Sequence, residues 1–208
     1  MRLKRSMASA TAIPNRPMPG RNGVAEVYIG GAADGQSRIV TSYVTARQNA
    51  LRTSGGTRTA VWFSYFDLHG ALSHCMNALS DGREVVLVGH SWGSDTALKI
   101  AHQLPAPVAL LAGVDPVMRH GSLFMSVSKK PRNAKKVVHV DARPIRPDRS
   151  DAVKAIGIVM GLGLAPAFRH ADIRIDTQLN HWAFAHMIEA ENSVGVSLRQ
   201  LINDVNAT

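Results

Sequence analysis

The sequence Glu-Val-Val-Leu-Val-Gly-His-Ser-Trp-Gly, from Glu84 to Gly93, decides the fold of this chain. Its four consecutive apolar residues, Val85 to Val88, predict a strand buried on both faces, which is typical of a central strand in a parallel sheet. A helix-compatible segment follows directly, from about Ser94 to Leu104, and ends where two prolines follow it. A buried strand that turns straight into a helix indicates an α/β protein.

The rest of the chain alternates short apolar runs with helix-compatible segments, as expected for helices that cover a parallel sheet. The predicted strands are Val24–Ile29, Thr59–Phe66, Glu84–Val88, Val108–Val114, Val137–Val140 and Ala171–Ile175. Besides the helix after Gly93, the predicted helices are one capped by Ser37, Leu68–Leu79 and a last one from about His181 to Ile202. We expect a mostly parallel sheet, flanked by helices on both faces, in a single domain over residues 23–208.

The composition gives the chain of 208 residues a formal net charge of +9. Basic residues are concentrated in two places, residues 1–22, which we expect to form a flexible arm, and the segment from Lys129 to Lys136. This charge favours an anionic partner such as a membrane surface. Nucleic acid is not an expected partner, because no aromatic residues alternate with the basic ones.

Targeting and metal signals are weak in this sequence. Ala152–Phe168 is the most apolar long stretch, but it contains Lys154 and a proline, so it is a poor membrane span. The N-terminus lacks the apolar stretch of a signal peptide. We therefore expect a cytoplasmic protein, or one exported by a route independent of signal peptides. A single cysteine excludes a disulfide framework and a cysteine-rich metal site, and we expect no metal or cofactor.

The segment Gly89-His90-Ser91-Trp92-Gly93 matches the pattern Gly-x-Ser-x-Gly. In such a turn a strand passes sharply into a helix, and small residues on either side let the two backbones come close. The serine is exposed beside a helix N-terminus, whose N–H groups stabilise negative charge. The pattern therefore predicts Ser91 as a nucleophile. The alternative is a structural turn or a phosphate-binding loop, but the glycine and lysine patterns of phosphate loops do not occur at the strand ends.

A serine nucleophile needs a histidine base oriented by a carboxylate, and in this type of fold the chain order is serine, acid, histidine. Two aspartates, Asp115 and Asp141, end predicted strands after Ser91. Either of them could orient an imidazole from the carboxyl edge of the sheet. His181 is the predicted base, because it lies in the loop after the last strand.

Backbone N–H groups of two segments are expected to form an oxyanion hole. Trp92, directly after the nucleophile, supplies the first. The second is expected at Gly31 or Ala32, where glycine lets the backbone approach a substrate oxygen. Neighbouring residues have simpler interpretations: His90 is a packing and hydrogen-bonding neighbour, and Cys75 is a buried thiol within a helix.

Four segments, in the order of the chain, resemble small bacterial α/β-hydrolases of the lipase and esterase kind. They are Tyr28–Asp34, Gly89–Ala97, Val114–Val117 and Asn180–Phe184. The resemblance covers most of Val24–Ile202 and implies an α/β-hydrolase-type sheet with Ser91, Asp115 and His181 as a catalytic triad. Some relatives are thought to be phospholipase-type toxins exported without signal peptides. Ser94 departs from the resemblance, because relatives often have a second glycine there.

The expected activity is hydrolysis of carboxylic esters, small-molecule or lipid, through an acyl-enzyme on Ser91. Ala155–Leu164 is rich in glycine, leucine and methionine, and it is either an acyl-binding flap or a buried covering helix. The alternatives are a catalytically inactive binding module of the same fold, or thioesterase or amidase activity on the same triad. The sequence predicts neither the natural substrate nor the oligomeric state.

Overall fold

The computed structural model describes residues 23–32, 34–117, 130–145 and 166–206. The described residues contain six strands, all parallel to their neighbours, in a single sheet ordered β2-β1-β3-β4-β5-β6. The strands are β1 (Val24–Gly30), β2 (Thr59–Ser64), β3 (Glu84–His90), β4 (Leu110–Val114), β5 (Val137–Ala142) and β6 (Ile173–Thr177). The expected α/β fold class is therefore confirmed.

Helices cover both faces of this sheet. They are α1 (Asp34–Ser37), α2 (Ile39–Thr53), α3 (Leu68–Ser80), α4 (Trp92–Gln103), α5 (Pro166–Arg169), α6 (Phe184–Glu189) and α7 (Leu198–Asn203). On one face, α3, α4 and α5 pack on the sheet through side chains such as Ile100 and Phe168. On the other, α2, α6 and α7 pack through side chains such as Tyr43 and Phe184.

The interior strands β1 and β3 owe their place to their largely apolar composition. Every residue of β1 is buried, and so are all residues of β3 after Glu84. Successive residues of β3, such as Leu87 and Val88, pack into the core clusters on opposite faces of the sheet. A strand of this kind needs apolar residues at successive positions, as the sequence predicts. Because all strands are parallel, their carboxyl ends lie along one edge, where loops place the functional side chains.

The prediction of one helix from His181 to Ile202 is wrong, because two short helices, α6 and α7, occupy this region. A turn separates them, in which the Asn192 side chain accepts hydrogen bonds from the N–H groups of Val194 and Val196. Gly195 adopts φ 75° in the same turn. Side-chain bonds of this kind compete with the helical ladder and end it.

The prediction that Ser37 caps the second helix is also wrong. Arg38 is the residue before α2. Its backbone has φ 56°, in the left-handed region, and its side chain makes no capping hydrogen bond. The carboxylate of Asp34 takes the capping role, because it accepts hydrogen bonds from Val40 N (2.7 Å) and Thr41 Oγ1 (2.9 Å). Smaller differences concern strand ends: β2 ends at Ser64, β4 begins at Leu110, and β6 spans Ile173–Thr177.

The excess positive charge lies mainly outside the described residues. Within them the sequence has fourteen lysines and arginines against thirteen aspartates and glutamates. The N-terminal arm, residues 1–22, and the apolar segment Ala155–Leu164 also lie outside the described residues. No helix in the described part of the chain is long and apolar enough to span a membrane.

Two buried histidines make the stability of the fold depend on pH. Burial lowers the pKa of His139 on β5 to about 4 and that of His90 on β3 to about 3. The unfolded chain, in which a histidine pKa is about 6.5, takes up protons that the folded chain does not. Their contribution to stability is therefore fully present above pH 6.5 and is lost as the pH falls towards 4 and 3.

We expect the free energy of unfolding, measured with urea, to fall between pH 7 and pH 5. The variant His139→Gln lacks the titrating ring. The slope of its unfolding free energy against pH should therefore be smaller by up to about 1.4 kcal/mol per pH unit, the value for one proton. Between pH 7 and pH 8 both proteins should show the same pH dependence, which serves as the internal control. Equal slopes below pH 6.5 would contradict this account.

Candidate active site

Ser91 lies at the sharp turn between β3 and α4. Its backbone has φ 52° and ψ −125°, a strained conformation for a residue with a side chain. Hydrogen bonds hold the turn against the end of β4: Ser91 N donates to Val114 O (3.1 Å), and Val117 N donates to Ser91 O (3.2 Å). The strain is therefore held in place by the neighbouring strand.

Close backbone approach explains the glycines of this turn. A Cβ atom on Gly93 would lie 2.1 Å from Ile29 O, and one on Gly89 would lie 2.4 Å from the Cα of Ser94. No side chain fits at either position without moving the backbone. The resemblance leads one to expect glycine at Ser94. The Ser94 hydroxyl fits in the turn because it donates a hydrogen bond to Gly89 O at 2.8 Å. The substitution at this position is thus compatible with the turn.

Asp115 and His181 form a buried pair at the carboxyl edge of the sheet. His181 Nδ1 lies 2.6 Å from Asp115 Oδ2, and both side chains are at most 5% exposed. Asp115 directly follows β4 and has φ 44°. In a neutral imidazole, a proton on Nδ1 that is donated to the carboxylate leaves the lone pair on Nε2. The pair therefore fixes both the orientation and the tautomer of the ring.

Asp141, the other predicted candidate for the acid, takes part in a different set of contacts. Its Oδ2 is 2.7 Å from Nε of Arg143, which directly follows β5, and 2.8 Å from Nη2 of Arg174 on β6. Both arginine side chains are well exposed, at 62% and 40%. Of the two aspartates, the one that the structure brings to His181 is Asp115.

Ser91 and His181 open into the same cavity of about 230 Å³. His90, Trp92 and Trp182 also line it. The remaining lining residues are Gly31, Ala32 and Asp34, which follow β1, and Ile39, the first residue of α2. The cavity thus lies between the strand–helix turn, the loop after β1 and the loop that carries His181.

Two backbone segments lie beside Ser91, the start of α4 and the loop after β1. Trp92 is the first residue of α4, so its N–H has no partner within the helix. A Cβ atom on Gly31 would lie 2.8 Å from Ser91 Cβ and 3.3 Å from Ser91 Oγ. The Gly31 backbone therefore passes directly against the serine side chain, and only glycine fits there. Ala32, the next residue, is exposed and lines the cavity.

Sequence reasoning gave no role to three residues of the cavity wall: Asp34, Ile39 and Trp182. Asp34 is buried and ties the loop after β1 to the start of α2 through its bonds to Val40 and Thr41. Asp34 stands five residues before Ile39, the first residue of α2, so the usual N-cap spacing does not reveal this role in the sequence. Nothing in the sequence indicated that Ile39 and Trp182 face the same space.

Cys75 agrees with its interpretation as a buried thiol within a helix. Cys75 is fully buried in α3, and burial raises the pKa of its thiol to about 12, so it is no competing nucleophile. His186 is exposed on α6. Among the described residues, no group of three or more histidine, cysteine, aspartate or glutamate side chains could hold a metal ion.

Comparison with known proteins finds likeness among solved structures but not among family models or curated sequences. No protein-family model matches the sequence, and a search of curated proteins finds no match. A crystal structure of a "putative hydrolase of the alpha/beta superfamily" from Xanthomonas campestris pv. campestris is similar to this chain, with a TM-score of 0.44 and 17% sequence identity. The alignment covers 78% of this chain and 91% of that one.

Proposed function

We propose that this protein is a serine hydrolase that cleaves carboxylic esters through an acyl-enzyme on Ser91. One observation carries the proposal: the buried 2.6 Å contact between His181 Nδ1 and Asp115 Oδ2, with His181 and Ser91 in one cavity. A catalytic triad consists of a serine at a strained strand–helix turn, a histidine base, and an aspartate that is hydrogen-bonded to this histidine. In this proposal His181 is the base and Asp115 the acid that orients it.

The first half of the proposed reaction acylates the enzyme. His181 Nε2 takes the proton of the Ser91 hydroxyl as Oγ attacks the ester carbonyl carbon. The N–H of Trp92 and that of Gly31 or Ala32 stabilise the oxyanion, and one such donor is worth about 3 kcal/mol. His181 then gives its proton to the leaving alkoxide as the C–O bond breaks.

In the second half, water hydrolyses the acyl-enzyme by the same steps. His181 takes a proton from water, the hydroxide attacks the acyl carbon, and the proton returns to Ser91 Oγ as the acid leaves. Asp115 remains ionised throughout and stabilises the imidazolium that forms twice per turnover. This reaction uses no metal or organic cofactor.

The cavity wall supports an apolar acyl group in the substrate. Ile39, Trp92 and Trp182 line it, and the Trp92 ring packs edge-on against Tyr65 with ring centroids 5.4 Å apart. Phe66, which is 76% exposed, in turn stacks on Tyr65. Apolar and aromatic surface of this kind binds hydrocarbon more readily than polar groups. A lipid ester on an anionic membrane surface remains one candidate within this class.

A panel of matched substrates tests the proposal. It contains p-nitrophenyl esters of increasing acyl length, one thioester, one anilide, and vesicles of zwitterionic or anionic phospholipid. We expect kcat/KM for the esters to exceed that for the anilide and to rise with acyl length until the cavity is filled. Hydrolysis that is stronger on anionic vesicles would support a lipid substrate, whereas equal rates on short soluble esters and on all vesicles would contradict it.

Failure of the whole panel would favour the alternative of an inactive binding module with the same fold. Preference for the thioester or the anilide would keep the triad but change the substrate class. The described residues are nearly balanced in charge, so nothing in them favours nucleic acid as a partner.

A further inference from the structure

His90, the residue before the nucleophile, lies against His181. Its side chain is buried, and its Nε2 is 2.9 Å from the backbone oxygen of His181. The two imidazole rings are 4.6 Å apart between centroids, with an angle of 34° between their planes. A carbonyl oxygen only accepts hydrogen bonds, so His90 Nε2 must carry the proton and donate it.

Phe184, the first residue of α6, packs on the His90 ring from another side. Its ring meets that of His90 edge-on, with centroids 5.4 Å apart. His90, the last residue of β3, therefore connects the strand that leads into the nucleophile with the loop and helix beside the base. It contacts His181 in two ways, through the backbone and through the ring face.

The charge state of His90 suits this position. Burial lowers its pKa to about 3, and the neighbouring His181 acts in the same direction. The titratable groups that face it are the ring of His181 and the carboxylate of Asp115. A cationic ring stacked on His181 would oppose the proton that the base takes up during catalysis. A neutral ring gives the same packing without this repulsion.

We propose that His90 is a positioning residue, whose Nε2–H holds the backbone of His181 while its ring supports the imidazole from one face. The inference rests on the proposed function, because it concerns the base of that reaction. The hydrogen bond to Asp115 orients the His181 ring, and the bond from His90 Nε2–H holds the backbone that carries this ring. A displacement of about 1 Å at a catalytic group costs about a hundredfold in rate.

Two variants separate the hydrogen bond from the packing. His90→Phe keeps a ring in this place but removes the donor, and His90→Gln keeps an N–H donor but removes the ring. We expect His90→Phe to lower kcat by roughly 10- to 100-fold with little change in KM. His90→Gln should recover most of that loss. The matched control is His102→Phe. Residue 102 lies about 15 Å along α4 from Trp92, the first residue of that helix, so this variant should retain the wild-type kcat.

Three readouts distinguish positioning from a merely structural role. The melting temperature reports stability, titration with a fluorophosphonate probe counts competent sites, and the pH profile of kcat/KM reports the titration of the base. A lower kcat per labelled site in His90→Phe, together with a shifted pH profile of kcat/KM, supports the proposal. A lower melting temperature with unchanged kcat per labelled site overturns it. So does a His90→Gln variant that is no better than His90→Phe.

A measurement on the wild-type protein keeps the inference testable if His90→Phe does not fold. Nitrogen-15 NMR of the histidine rings should show His90 neutral and protonated on Nε2 from pH 8 to pH 5. A ring protonated on Nδ1 in that range would overturn the proposal. A wild-type chain that neither reacts with the probe nor hydrolyses any ester would instead contradict the proposed function, and the role of His90 with it.

Discussion

Replacing Ser91 with alanine is expected to lower kcat for ester hydrolysis by about 10⁶-fold, the loss found when a triad nucleophile is removed. The hydroxyl oxygen is the atom that bonds to the acyl carbon in the proposed reaction, so no neighbouring group can replace it. The fold should be retained, because the backbone bonds of the turn to Val114 and Val117 do not involve the side chain. Initial rates on the best ester of the panel measure the effect.

The matched control for this variant is Ser94→Ala. It removes a hydroxyl from the same turn, but that hydroxyl donates to Gly89 O and holds the backbone. Its loss should cost about 1 kcal/mol of stability rather than catalytic rate. If Ser91→Ala kept more than a small fraction of the wild-type rate, or if Ser94→Ala were the more damaging change, Ser91 would not be the nucleophile.

The second large effect is expected for Asp115→Asn, which should lower kcat by about 10⁴-fold. Asparagine keeps the shape of the side chain but not its charge, so it neither favours the Nδ1–H tautomer of His181 nor stabilises its imidazolium. The contact to be lost is short and buried, at 2.6 Å between Oδ2 and Nδ1. The rate constant of acylation, followed in a single turnover, measures this step directly.

Asp141→Asn makes the same chemical change at the end of the next strand. Asp141 is paired with Arg143 and Arg174, which are well exposed, so its loss should cost at most about 1 kcal/mol of stability. We expect its kcat to stay within about threefold of wild type. A larger loss of rate in Asp141→Asn than in Asp115→Asn would reverse the assignment of the acid.

The sequence was sufficient where local patterns determine structure. The apolar run Val85–Val88 predicts a strand buried on both faces, as β3 is, and the glycines around Ser91 are required because a Cβ atom there would lie under 3 Å from neighbouring backbone. These two features predict the centre of the sheet and the turn that follows it. They also predict that the cavity lies at the carboxyl edge.

The sequence was insufficient where geometry between distant segments decides. In the sequence, Asp115 and Asp141 each end a predicted strand, so their positions look equivalent, although in the structure β5 continues through Asp141 to Ala142. What distinguishes them is the backbone of Asp115, with φ 44°, and the loop that brings His181 to it. The stacking of His90 on His181 is equally invisible in the sequence, because the two residues are 91 positions apart.

The account is tested most directly by reaction with a fluorophosphonate probe, followed by peptide mapping. Ser91 Oγ should attack phosphorus and expel fluoride, so that the intact mass rises by one adduct per chain. Fragmentation of the tryptic peptide from Glu84 to Lys99 should place the adduct on Ser91 and not on Ser94. A folded wild-type protein that does not react, or that carries the adduct at any other residue, would contradict the central claim.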